Sequence, residues 1–262
     1  MNLTHKTALL TGPLDPLLIG VGKALREAGA AIVLGHLPAD AQAAAIAAEP
    51  IGARAIALTP AAPEALPAQL EAAGPIDIAV IAPHSHLYKP FIEVTDAEWD
   101  AAITGNFEQA LWLAQALARQ WIEGNPKEDL TAKTQRHQRS KRIIFLSSIA
   151  ARLPLTYMSA PGTTLGALRA LAKMAAVDLA PHAITVNVIE LGWVESAAFS
   201  PAARAHLLEG TPTGHLIDPA EVGALCAFLA SDLASSITGE AHTLDGGYSL
   251  TRSSGTEPLA IQ

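Results

Sequence analysis

What most restricts the fold of this chain is a regular alternation between short, almost continuously apolar runs and longer stretches patterned as helices. The short runs are Thr7–Thr11, Ala31–Leu34, Ala53–Leu58, Ile78–Ile81, Ile143–Ser147, Thr185–Ile189 and Ala241–Leu244. Runs of this length without a polar face are expected of parallel strands buried on both sides. Helical patterning falls near residues 20–28, 39–48, 63–73, 97–122, 161–179 and 218–230. The last of these opens with Asp218-Pro219, a side-chain cap followed by proline at the first helical position. Strand–helix alternation predicts an α/β fold: a single doubly wound parallel sheet of about seven strands with helices on both faces. In such a sheet, ligands bind beyond the carboxyl ends of the strands.

With 262 residues, half of them hydrophobic and 16% charged, the chain is long enough for one α/β domain spanning residues 1–262 and its core. A net charge of −8 argues against nucleic-acid and anionic-membrane partners. Cys226 is the only cysteine, so no intrachain disulfide can form. The N-terminal residues lead directly into a strand pattern without a leader-like segment, and no apolar run is long enough to span a membrane. A soluble, cytoplasmic protein is expected. Residues 123–142 are a polar, mostly basic insertion, and 251–262 form a C-terminal tail.

Motifs cluster where strands should end. Thr11-Gly12 closes the first strand, and Gly20-Val21-Gly22 is placed to open the first helix. Glycines there permit a tight turn and present backbone N–H groups to a phosphate. Ser148 follows a strand in Leu146-Ser147-Ser148, with Tyr157 beyond it and Asn106 in an earlier helix. Further on come Leu191-Gly192-Trp193-Val194-Glu195-Ser196 and Leu244-Asp245-Gly246-Gly247-Tyr248.

Taken together, residues 4 to 250 resemble the short-chain dehydrogenase/reductase family. The resemblance implies a Rossmann-type sheet and an NAD(P)-dependent oxidoreductase acting on a small-molecule carbonyl or alcohol. It implies that Ser148 hydrogen-bonds the substrate oxygen, that Tyr157 is the acid/base and that Asn106 supports a proton relay through water. Thr11, Gly12, Gly20, Val21, Gly22, His36, Ala82, Gly192, Val194 and Ser196 are the corresponding cofactor contacts, with no metal. The family also commonly assembles as homodimers or homotetramers.

Several residues depart from that pattern. Four positions after Tyr157, where the family carries lysine, stands Pro161. The lysine would lower the tyrosine pKa from about 10 and hold the nicotinamide ribose; proline does neither. Proline also predicts that the helix starts near Pro161, with Ser159 or Ala160 as cap and Tyr157 in the preceding loop. Ser148 and Tyr157 are nine residues apart, fewer than the family's twelve or thirteen. Lys173 lies about 18 Å further along that helix and is no replacement. Gly12 and Gly20 are eight apart, where the family has four, with Pro13, Asp15 and Pro16 between them. No acidic residue follows the second strand at Gly35-His36, which favours NADP over NAD. Ala82-Pro83-His84-Ser85-His86 stands where the family has Asn-Asn-Ala-Gly. Three readings follow: an oxidoreductase with an impaired site, an inactive relative acting as a binding or oligomer-partner protein, and a non-redox enzyme using His84, His86 and Glu190.

Overall fold

The computed structural model describes residues 1–83, 87–124 and 140–251. Most of the 123–142 insertion, nearly all of the 251–262 tail, and both His84 and His86 lie outside the described residues. Seven strands form one parallel sheet: β1 (Thr7–Thr11), β2 (Ala31–His36), β3 (Arg54–Ala57), β4 (Ile78–Ile81), β5 (Lys141–Ser148), β6 (Ile184–Leu191) and β7 (Ala241–Leu244). Their order is β3-β2-β1-β4-β5-β6-β7, so the winding reverses between β1 and β4. That switch point opens a crevice at the carboxyl ends of the strands.

Strand residues alternate between two cores. Leu10, Val80 and Ile189 face α1 (Pro16–Glu27), α2 (Ala41–Ala48) and the helix Pro219–Ala230. Leu9, Ala79 and Val188 face α3 (Leu66–Ala73), α5 (Gln109–Glu123) and α6 (Ser159–Leu179). α4 (Asp96–Ile103) precedes α5, and α7 (Pro201–Glu209) precedes α8 (Pro219–Ala230). Covering both faces explains why the strands read as unbroken apolar runs.

Three helix boundaries differ from expectation. The 97–122 helix is interrupted: Thr104–Glu108 form a wide turn with one extra residue per ring, and this turn carries Asn106. Such turns are frequent at functional sites. α6 begins at Ser159 with Met158 as its cap residue, so neither Ser159 nor Ala160 caps it. Pro161 sits in the first turn, where its missing N–H removes no bond.

The third difference concerns α1, which starts at Pro16 rather than near Gly20. Asp15 is its cap: the carboxylate Oδ1 accepts from the Leu18 amide at 3.0 Å. Gly20-Val21-Gly22 therefore lie inside the helix. Val21 is fully buried in the core. A Cβ on Gly20 would meet the Pro219 Cβ at 2.6 Å, and one on Gly22 would meet Ile51 Cδ1 at 2.8 Å. These glycines let α1 pack closely on α8 and on the 49–51 turn.

Candidate active-site cleft

A cavity of about 310 Å³ opens at the switch point. Its walls come from four strand ends. Pro13 follows β1; Ala82 and Pro83 follow β4; Leu146, Ser147 and Ser148 end β5; Leu191 ends β6 and Gly192 through Ser196 follow it. Asp15, Pro16, Leu17 and Leu18 of the α1 N-terminus and Met158, Pro161 and Leu165 of α6 complete it.

Of the residues singled out in the sequence, Ser148, Ala82, Gly192, Val194 and Ser196 line this cavity. The Ser148 hydroxyl accepts from the Ala150 amide at 3.2 Å. Gly192 takes no side chain because a Cβ would meet Asp245 Cβ at 2.7 Å, and its N–H donates to Leu244 at 2.9 Å. Val194 is bridged to Ile217, and the Ser196 Oγ accepts from Ala198 N. Ala82 packs against Gly12. Gly12 has φ +146°, and a Cβ there would lie 2.6 Å from Ala82 Cβ, so this turn needs glycine.

The others lie elsewhere. Gly20, Val21 and Gly22 serve helix packing. Thr11 is 5% exposed, with its hydroxyl lacking a hydrogen-bond partner among the described residues. His36 Nδ1 lies 2.7 Å from the neighbouring Leu37 carbonyl. Asn106 is fully buried and donates to Thr164 Oγ1 at 3.2 Å, which ties the wide turn to α6. Tyr157 is not among the residues lining the cavity. It occupies the left-handed region at φ 66°, a strained conformation for an aromatic residue. Its ring meets Tyr88 edge-on with centroids 5.3 Å apart, and its carbonyl accepts from Lys89 N at 2.8 Å. Lys89 is in turn paired with Glu98 at 2.8 Å. The segment after β4 thus holds Tyr157 from both ring and backbone.

Glu190, weighed as half of an acid/base pair, is 1% exposed as a side chain and already engaged. Arg152 Nε donates to its Oε2 at 2.9 Å. Arg169 Nε lies 2.7 Å from Oε1, off the line of its N–H, and so acts as an ion-pair partner rather than an aligned donor. Arg152 also donates to Thr243 and Ser249, so that Glu190 and its two arginines bind β6, β7 and α6 together.

The sequence reading underrated two lining residues. Asp15 carries the same Asp-Pro signature as Asp218-Pro219, which was legible. Trp193 gave no local signal; its ring reaches the cleft through edge contacts with Phe199 and Tyr248.

The residues present do not fit a nicotinamide dinucleotide bound in the family's manner. At the N-terminus of α1, where a pyrophosphate would be held, Pro16 has no N–H and the Leu18 amide is already taken by Asp15. A carboxylate there repels a second anion. Pro16 also lies four residues after Gly12, the family's own glycine spacing, so the loop is substituted rather than lengthened. With proline at position 161, no lysine, arginine or histidine lines the cleft among the described residues.

The chain nevertheless has clear relatives. The family model described as enoyl-(acyl carrier protein) reductase matches residues 19–249. The L-xylulose reductase of Bos taurus is 30% identical over 258 residues, covering 96% of this chain and 99% of the relative. A putative short-chain alcohol dehydrogenase from Sinorhizobium meliloti superposes with a TM-score of 0.80 at 26% identity, covering 96% of this chain and 99% of its own. A 7α-hydroxysteroid dehydrogenase, solved as a complex with NADH and 7-oxo glycochenodeoxycholic acid, shares the fold at a TM-score of 0.80 and 24% identity, covering 94% of this chain and 95% of its own. Strand order, cleft position and whole-length similarity agree: this chain belongs to the short-chain dehydrogenase/reductase family of oxidoreductases.

Proposed function

We propose that this chain keeps the family's small-molecule cleft but not its hydride-transfer chemistry, and works as a binding protein. One observation carries the reading: the Asp15 carboxylate sits on the Leu18 amide, where the family's fold offers its helix N-terminus to a pyrophosphate. Pro161 in place of lysine and the restraint of Tyr157 by Tyr88 and Lys89 agree with it. Titration with NADH and NADPH, followed by calorimetric heat and thermal stability, is expected to show no binding at millimolar concentration. Micromolar binding of either would overturn the reading. A Pro161→Lys variant is expected to gain no reductase activity, because the tyrosine is held outside the cleft wall.

A second reading, an oxidoreductase on a carbonyl or alcohol, draws on Ser148 lining the cavity and on whole-length similarity to L-xylulose reductase. Turnover of any member of a carbonyl panel by the unmodified chain with NADPH would establish it. Assembly as a homodimer or homotetramer belongs to both readings. Met174 and Val177 stand 63% and 72% exposed on one face of α6. Light scattering is expected to give a multiple of the single-chain mass.

A further inference from the structure

The cleft's charge and its apolar lining say more about its ligand. Among the described residues, no lysine, arginine or histidine lines the cavity, whereas Asp15 and Glu195 do. Glu195 is neutralised by Arg204, which binds both of its oxygens at 2.7–3.1 Å, and this pairing lowers its pKa. Asp15 has no ion-pair partner among the described residues; the Leu18 amide binds Oδ1. Most of the remaining wall is apolar: Pro13, Leu17, Pro83, Leu146, Met158 and Trp193. Two donors are buried without an acceptor among the described residues, the Trp193 indole N–H and the Ser147 hydroxyl, and both residues line the cavity. Neither atom is open to the cavity as the side chains stand, so it is the apolar surface of these residues that meets a ligand. A mostly apolar cavity with a few convergent polar groups is the usual form of a small-molecule site.

We infer that this cleft takes a compact organic cation with an apolar body, its charge facing Asp15. The inference rests on the binding-protein reading and names the ligand class for that site. The charge preference at the head of α1 is then opposite to the one a pyrophosphate requires. The 310 Å³ volume suits a single-ring molecule rather than a dinucleotide.

Three matched benzoate esters test this in calorimetric or NMR titrations of the full chain: benzoylcholine, its neutral carbon isostere 3,3-dimethylbutyl benzoate, and 2-(phosphonooxy)ethyl benzoate. Benzoylcholine is expected to bind about fivefold tighter than the neutral ester, the scale of a partly exposed ion pair, and the phosphate ester not at all. The advantage should shrink at high salt. Asp15→Asn keeps a good helix cap, so the fold is preserved while the charge is removed. It is expected to erase the fivefold preference and leave the neutral ester unchanged. Equal binding of the phosphate ester, an unaltered preference in Asp15→Asn, or failure of all three esters to bind would overturn the inference. Equal binding of the cationic and neutral esters, with no NADPH binding, would remove the charge preference and leave the binding-protein reading intact. Micromolar NADPH binding would instead remove that reading itself.

Discussion

Two ends of the same sheet edge have diverged in opposite directions. At the β6–β7 end stand the residue types that the family resemblance named at Gly192 and in Asp245-Gly246-Gly247, and beside them an ion-pair cluster. Gly192 packs against Asp245, Asp245 accepts from the Gly247 and Ser249 amides, and Glu190 joins Arg152 to Arg169. At the β1–α1 end, the strand, the turn glycine and the helix remain, but the residues that would meet a phosphate are replaced by Pro13, Asp15 and Pro16. Residues whose work is packing persist in both regions. Residues whose work is handling charge persist only where the charge is internal to the fold.

The sharpest test of the rebuilt corner uses the one cysteine. Cys226 lies on α8, which packs against α1; it is fully buried, and burial alone pushes its thiol pKa up to about 12. Against the ordinary value of 9.0, the thiolate fraction at pH 8 falls by about a thousandfold, and burial blocks access as well. Labelling by a thiol reagent is expected only when this corner opens. Fast labelling under native conditions would show that the α1–α8 contact is loose and that the corner has decayed rather than been rebuilt.

At the retained end, Glu190→Ala should lower stability by about 3 kcal/mol in urea unfolding, because two arginines lose a buried partner. Their partial exposure lets water recover some of that loss, which keeps the figure at the lower end of the range for buried pairs. A loss below about 1 kcal/mol would mean that this cluster does not hold β6 and α6 together. Gly20→Ala sharpens the contrast directly. A glycine in a phosphate loop would tolerate alanine in the unliganded protein. A glycine pressed against Pro219 would not, and about 2 kcal/mol of destabilisation is expected.

Asp15→Ala should cost about 1 kcal/mol by removing the cap of α1, while Asp15→Asn should cost only a few tenths. Equal losses would argue that the carboxylate charge, rather than the cap geometry, holds the helix end. The smallest effect concerns the segment that restrains Tyr157. Hydrogen bonds from Lys89, then from the backbone and hydroxyl of Thr95, hold the Glu98 pKa at about 2 against an ordinary 4.5. A depressed carboxylate contributes stability that is complete above the unfolded pKa and is lost as pH falls through the folded one. The Lys89–Glu98 tie should thus weaken between about pH 4.5 and 2, read as a change in Tyr88 and Tyr157 ring signals by NMR. Glu98→Gln should abolish that acid transition.

Much of the molecule was legible in advance. The strand run at Ile78–Ile81 coincides with β4, whose four residues are all buried, because a strand buried on both faces has no polar residue to blur its ends; the runs Thr7–Thr11 and Ala241–Leu244 also coincide with β1 and β7. Pro161 in a first helical turn, with Tyr157 in the loop before it, followed from proline's fixed geometry. The glycines at 20 and 22 misled, because a motif spacing says nothing about which way a glycine faces. Asp15-Pro16 carried the better local signal for where the helix begins. Helix α7 was missed outright; its nine residues, Pro201–Glu209, bury only Ala203 and Leu207 and show little periodicity.

The amino-acid sequence by itself determined the doubly wound sheet, the family and the absence of a lysine four positions after Tyr157, since these depend on hydrophobic pattern and residue identity. Tertiary structure decided what the cleft can hold. It turned Tyr157 onto Tyr88, buried Glu190 between two arginines and brought Trp193 to the cavity wall. Each of those outcomes depends on contacts between residues distant in the chain or on a backbone conformation, and neither is encoded in any single local stretch.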